Sequence, residues 1–441
     1  MSKQSTATVY TAKQANMALV LLLLAYVLSF IDRNVMAVLI GPIRQDFDIS
    51  DFQYSLLHGF AFSMFYIALG LPIARLADRY PRLNIISIGI VVWSAMTVAC
   101  GLVKNFGTLF VARMGVGVGE AALSPAAFSI FSDIYSPEKL PKATAVYSLG
   151  ITLGGGLAYI LGGAIYEYFV AFEPIQAGFL GEIKAWQLTF IAVGLPGFVV
   201  ALALKLLPEP PRKQSELTPA STGLPLREVW AFFKSNARLY VGIIGSMSLR
   251  SVVGYGVMGW YPEMLIRIYG VDRSVAGTQF GTVFIIAGSI GTLAGGWICS
   301  WLMQRGVIDA PLRIIVFVCV LWGIPVVYGP LSGHADIAIA TSWAIVLFLN
   351  AYFGVGVTAV ALVTPNAMRA QASAVLLFFT NLFGLAFGPS AVAMLTDFVF
   401  ADDAALNASL ALLPALVFPP ALALALLARK PYVRAVQTRS E

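Results

Sequence analysis

The sequence predicts an all-α membrane protein of twelve transmembrane helices, arranged as two six-helix bundles. Three observations predict it. Of 441 residues, 59% are hydrophobic and only 11% are charged, against about 25% charged in an average soluble domain. The apolar residues fall in continuous runs of about 20, the length that crosses a bilayer as a helix, and not in the short alternating segments of a β-barrel. A stretch rich in Pro, Ser and charge, 208–235, parts these runs into six and six.

The runs cover 17–40, 52–76, 84–103, 108–132, 144–168, 186–207, 238–266, 275–303, 313–332, 339–364, 371–396 and 408–428. Residues 1–207 form the N-terminal bundle, 208–235 a cytoplasmic linker and 236–441 the C-terminal bundle. The first run, Met17 to Ile40, is too long for the apolar core of a signal peptide, and no small-x-small cleavage site follows it, so it is a retained first helix. With both termini cytoplasmic, twenty of the 28 Lys and Arg fall on inside segments, five outside and three within spans. The positive-inside rule therefore sets the orientation, and the net charge of +6 needs no nucleic-acid partner. The three cysteines, Cys100, Cys299 and Cys319, lie in spans without ligand spacing, which predicts neither a disulfide nor a metal site. GITLGGGLAYILGG (150–163) and GLAFGP (384–389) occupy the fifth span of each half. Small residues four apart let helices approach closely, and matched Gly-rich segments point to internal repeats.

The chemistry sits where the apolar pattern is broken. SFIDRNVMAVLIGP (29–42) places Asp32 and Arg33 inside the first span, RMGVGVGE (113–120) places Arg113 and Glu120 in the fourth, and SMSLRSVVGYG (246–256) places Arg250 in the seventh. A charge at bilayer depth costs at least about 2.5 kcal/mol on insertion scales, so such residues face a bundle interior or a wet cavity. Arg113 and Glu120 are seven apart and share a helix face, about 10 Å apart along the axis, and Ser124 continues that face. Asp32 and Arg33 fall at the depth of Arg113. One reading is a structural bridge between Asp32 and Arg113. The other is a cluster that binds substrate and takes up a proton: burial raises a carboxyl pKa and a neighbouring arginine lowers it. Three arginines against two carboxylates leave a surplus cation suited to a phosphate or carboxylate.

GLPIARLADRYPRLNII (70–86) and ARMGVGVGEAALSPAA (112–127) carry a family resemblance. The first resembles the Gly-x-Leu-Ala-Asp-Arg-x-Gly-Arg-Arg loop of the major facilitator superfamily. Asp78, Arg79 and Arg82 match it, while Ala74, Pro81 and Leu83 depart from it. The second resembles that superfamily's Arg-x-x-x-Gly-x-Gly helix. With Asp32-Arg33 and NLFGLAFGPSAVAMLTD (381–397), the chain resembles the spinster branch over nearly its whole length.

The resemblance implies a secondary transporter working by alternating access around a central cavity. Its substrate would be an amphipathic or anionic molecule such as a lysophospholipid or a sphingosine-1-phosphate-like lipid; a proton-coupled sugar or organic-anion transporter is the alternative. Asp32 and Glu120 are the expected proton-coupling residues. Arg33, Arg113, Arg250 and Ser124 are the expected substrate contacts. Asp78, Arg79 and Arg82 would latch onto Asp133 or Glu138 as a cytoplasmic gate. In the second half Ser300 stands where that latch would have Asp, so it looks one-sided. No P-loop occurs, so a gradient and no cofactor should drive the protein. With two histidines and no nucleophile or metal set, it reads as no enzyme. Compact loops point to a monomer in a bacterial inner membrane.

Overall fold

Long apolar stretches cannot leave backbone polar groups unpaired in a bilayer, so they close their hydrogen bonds as helices. The computed structural model describes residues 10–136, 138–176, 181–212, 226–365 and 368–440; most of the expected linker, 213–225, lies outside them. Eleven described helices are long and apolar enough to cross a membrane: Ala12–Val38, Arg82–Cys100, Phe106–Ile134, Lys142–Val170, Ala185–Lys205, Ala237–Arg267, Arg273–Gln304, Ala310–Leu331, Ala335–Val363, Gln371–Phe400 and Asp403–Thr438. The second expected span is also helical, over 51–79, but is assembled from Asp51–Ser55, a π-helical turn Leu56–Phe60 and Ala61–Arg79. A two-stranded antiparallel ribbon pairs Ile175–Gln176 with Glu182–Ile183 before the sixth span.

Several spans depart from regular α geometry. The first ends its α-helix at Asn34 and continues as a 3-10 turn, Val35–Val38. The fourth breaks after Glu120 and restarts at Leu123. The tenth breaks at Tyr352. The eleventh carries two π-helical turns, Leu382–Phe387 and Leu395–Phe400.

The chain divides into two compact units. One holds Met1–Val35 and Ala61–Thr218, the other Met36–Phe60 and Pro219–Glu441. In the first, the third span packs on the fourth and sixth, and the first span on the fifth. In the second, the seventh and ninth spans pack on the twelfth, and the eighth on the tenth.

Glycines set how closely these helices meet. A Cβ at Gly117 would lie 2.3 Å from the Phe62 carbonyl oxygen, and one at Gly295 would lie 1.9 Å from that of Ala351. At both places a side chain would collide with backbone, which has no rotamer to escape into. Gly117→Leu is therefore expected to lower the thermal unfolding temperature of the detergent-solubilised protein sharply, since overpacking costs about 1–3 kcal/mol or more. Gly354→Ala meets nothing within 4 Å, and removing a helical glycine there should raise that temperature slightly, by about 0.5–1 kcal/mol of stability. Equal effects at the two positions would contradict this account.

Candidate functional site

The first unit buries a charged cluster at the end of the first span. Asp32, Arg33 and Asn34 fill the last turn of the α-helix Ala12–Asn34 and are all buried. Across from them stands the fourth span, which Gly117 brings close to the second span at Phe62. Arg33 donates from Nη2 to Glu120 Oε2 at 2.5 Å. Arg113 donates from Nη1 to the backbone carbonyl of Asp32 at 3.2 Å. That carbonyl is among the last four of its helix, which lack a regular i+4 partner. The expected Asp32–Arg113 bridge is thus replaced by an Arg33–Glu120 pair and an arginine capping a helix end. The physical reason is that Asp32 and Arg33, adjacent on a helix, point about 100° apart.

Hydrogen-bonding capacity is left over in this cluster. Asp32 Oδ1, Glu120 Oε1 and Arg113 Nε and Nη2 are buried without a partner. Arg33 also sits among three rings: its guanidinium carbon lies 4.7 Å from the centroid of Phe30, 4.5 Å from Phe62 and 5.1 Å from Tyr66. Half-buried Ser124 bonds the Tyr147 hydroxyl at 3.2 Å, and Tyr147 stacks on Tyr26 at 4.4 Å. These aromatic residues were not singled out in the sequence, because aromatic residues in apolar runs are common.

The loop signature is organised around Arg82, which is 1% exposed. Its guanidinium bonds Asp133, Glu209, Ser129 and the carbonyl of Pro210. Glu209 also accepts the amides of Arg82 and Leu83, closing the start of the third span. The structure thus brings Arg82 and Asp133 together and adds Glu209. Arg79 and Glu138 are exposed, and the Asp78 side chain lies outside the described residues.

Arg250 lies in the second unit, fully buried. It donates to the carbonyl of Ile315 at 2.8 Å and contacts Met247 Sδ at 3.1 Å, and its guanidinium covers the Tyr352 ring at 4.4 Å. Nε has no partner, and among the described residues no carboxylate pairs with it. This unit has its own inter-span clamp in place of the absent motif Asp. Asp309 holds Arg313 at 2.7 Å and Arg429, on the twelfth span, at 2.5 Å. Glu263, ionisable within the seventh span and four residues before Arg267, was also missed; it pairs with Arg267 and Arg273.

Comparisons with known proteins identify the family. Residues 22–389 match the family model of the Major Facilitator Superfamily. The chain is similar to an MFS-type efflux pump of Mycolicibacterium smegmatis, with 28% identity over 87% of this chain and 85% of that protein. It is similar to the sphingosine-1-phosphate transporter SPNS2 of Xenopus tropicalis, with 24% identity over 88% and 75%. Among solved structures, a bacterial homolog of the human lysosomal transporter spinster, inward-facing and unoccupied, shares 27% identity and a TM-score of 0.79 over 97% of this chain and 98% of that one.

The Asp309 clamp gives a pH dependence with a definite sign. Burial pushes the Asp309 carboxyl up, but Arg429 and Arg313 outweigh it and hold the carboxyl below its ordinary value of 3.8. A depressed carboxylate adds stability above its unfolded pKa, and that stability is lost as pH falls through the folded value. Both arginines are about half exposed, so the contribution is about 1 kcal/mol or less. Asp309→Asn should unfold at lower temperature than wild type at pH 7, and the gap should close in the pH range below 3.8. A gap that persists there would contradict the clamp.

Proposed function

Because the chain belongs to the major facilitator superfamily and is spinster-like, we propose that it is a proton-coupled secondary transporter of an amphipathic anion, with a lysophospholipid-like molecule as the substrate class. The observation that carries this reading is the buried Arg33–Glu120 pair set among aromatic rings, with unused donors on Arg113 beside it. Protonation of Glu120 would remove the negative partner of Arg33. The guanidinium would stay held by Phe30, Phe62 and Tyr66 and would accept an anionic head group together with Arg113. Asp32 is the second carboxyl able to hold a proton in this cluster. Tyr26, Tyr147 and Ser124 offer a surface part aromatic and part hydroxyl, suited to the region where a head group meets a chain. Arg250, buried and without a carboxylate partner among the described residues, is an anion contact of the second unit. Arg82 with Asp133 and Glu209 serves as the cytoplasmic latch.

In this reading both termini face the cytoplasm, the protein works as a monomer in an inner membrane, and access to the site alternates between the two sides of the membrane. The substrate named in the SPNS2 match, a phosphorylated lipid, supports the lipid class.

The test is reconstitution in liposomes containing a pH dye, with lysophosphatidic acid and a sugar acid added separately. Wild type should move protons when the lysolipid is added. Glu120→Gln should lose at least tenfold of that coupled flux, and Arg113→Ala should weaken lysolipid uptake by a similar factor, because a lost buried charge contact is worth more than about 1.4 kcal/mol. Uptake without proton flux, unchanged in Glu120→Gln, would reduce the cluster to a structural bridge. Coupled uptake of the sugar acid alone would move the substrate to the organic-anion class.

A further inference from the structure

The ninth and twelfth spans, helices Ala310–Leu331 and Leu406–Ser440, pack against each other inside the second unit. Their contact is not filled along its whole length. Between them lies an apolar groove of about 340 Å³, walled by Val320, Gly323 and Val327 on one helix and by Pro414, Phe418 and Leu422 on the other. Gly323 helps to leave it open. A Cβ there would stand 3.6 Å from the Phe418 ring, an ordinary contact distance, so the missing side chain leaves space and not a tight approach. Val320, in the wall, is exposed, and so are Phe317, Ile324 and Leu416 on the same two helices. The groove therefore opens outward onto an apolar face. On helices that cross a bilayer such a face meets hydrocarbon, and a groove in it takes a hydrocarbon chain.

Beyond one end of the groove stand the charges of the Asp309 clamp. Asp309 takes Nε of Arg313 on one carboxylate oxygen and Nε of Arg429 on the other. Each arginine thus spends its Nε, and among the described residues the Nη groups of both bond no protein acceptor. Both guanidiniums are about half exposed, and Lys430 beside them is exposed. Three cations stand against one carboxylate. Two guanidiniums steadied at Nε with Nη free present the paired N–H donors that suit phosphate oxygens. Tyr432, one turn past Arg429 and on the same helix face, is buried with its hydroxyl unpartnered, and it adds a neutral donor on that side.

We propose that the ninth and twelfth spans bind one anionic membrane phospholipid, with its phosphate on Arg313 and Arg429 and one acyl chain in the groove. The spacing fits such a molecule. Phe418, in the middle of the groove, lies eleven residues from Arg429, about 16 Å along the helix. That is close to half of a hydrocarbon core about 30 Å thick, so a chain hanging from a head group at the arginines ends in the groove. The excess of Lys and Arg puts this end of the spans on the inner side, where basic pockets between helices bind lipid phosphates. Asp309 orients the two guanidiniums and leaves their outer edges to the lipid. The site lies within one unit, apart from the Arg33–Glu120 cluster, and it does not depend on what the protein carries.

The experiment uses the full chain, purified in detergent and followed by native mass spectrometry as phosphatidylglycerol or phosphatidylcholine is added. One phosphatidylglycerol should bind about tenfold or more tighter than phosphatidylcholine, since a single hydrogen bond to a charged group is worth that much. Arg313→Gln/Arg429→Gln should remove the preference. Gly323→Leu fills the groove and leaves both arginines in place; it should weaken phosphatidylglycerol by a similar factor, with the lipid-free unfolding temperature unchanged. No preference in wild type, or equal binding by Gly323→Leu, would overturn the proposal. Glycerol 1-phosphate carries the phosphate without chains. If it displaces the lipid at equal concentration, the site takes a soluble phosphate and the lipid assignment fails. The double variant also loosens the Asp309 clamp, so a second arm uses wild type alone. Phosphatidylglycerol with a photoreactive diazirine at its tail end should attach to residues 319–327 and 414–422, whereas attachment spread evenly over the exposed spans would overturn the site.

Discussion

A guanidinium carried to the depth of a helical bundle must find its acceptors on other helices, because no water is there to supply them. Arg33, Arg82, Arg113 and Arg250 are 7%, 1%, 0% and 0% exposed, and the helices around them are placed to meet that demand. They meet it unequally. Arg82 is surrounded by two carboxylates, a hydroxyl and two carbonyls from two chain segments. Arg113 has one backbone carbonyl, and Arg250 a carbonyl, a thioether and a ring. A saturated guanidinium fastens elements together, and removing one partner of such a buried pair costs several kcal/mol. An undersaturated one keeps a standing affinity for an anion. On the proposed reading, the difference separates Arg82, a fastening, from Arg113 and Arg250, which meet the anion.

The helical spans were legible because apolar run length is a property of composition alone. The identities of the buried charges were legible for the same reason: Asp32, Arg33, Arg113 and Glu120 stand out against apolar neighbours. Their pairing was not. Which of two adjacent residues reaches the fourth span depends on the rotation of the first helix at its final turn, and on where that helix gives way to a 3-10 turn. Glu209 and Asp309 were hidden for another reason. They lie beside connections, where a charged residue is ordinary and its partners are set by chain geometry. Glu263 could have been found, as an ionisable residue inside the seventh span at i,i+4 spacing from Arg267. Nothing in the sequence signals that residues 36–60, which straddle two apolar runs, pack with the second unit.

The irregular turns and the close glycines belong to one constraint. A π turn widens the helix and shifts the register of every residue after it. In the second unit the π turn at Leu56–Phe60 meets the π turn at Leu382–Phe387, with Gly59 against the Leu385 carbonyl. Contact this close is possible because Gly59 has no Cβ, and it leaves the flanking polar residues, Ser55 and Ser390, aligned to bond. A regular helix through 51–79 would turn Asp51 and Ser55 to other faces, since one inserted residue rotates what precedes it by about 100°. The pairing of Asp51 with Arg44 and Arg267 and the site after Phe60 therefore depend on the same local departure from α geometry.

On the proposed reading, the aromatic setting of Arg33 explains how a proton and an anion come to be coupled. With Glu120 ionised, the 2.5 Å pair neutralises the guanidinium and an incoming anion gains little. With Glu120 protonated, the guanidinium loses that counter-charge, and its cation–π contacts, worth at most about 2 kcal/mol when desolvated, fall short of the several kcal/mol that desolvating a charge costs. The remainder is available to an anionic head group. Linkage then works in both directions: an anion that binds better to the protonated site must raise the proton affinity of that site by the same factor. A cage that held Arg33 with acidic groups would abolish this coupling, because protonating one carboxyl would leave the arginine satisfied by the next. Rings at positions 30, 62 and 66 hold the cation in place without neutralising it, and that is the property a coupled site requires.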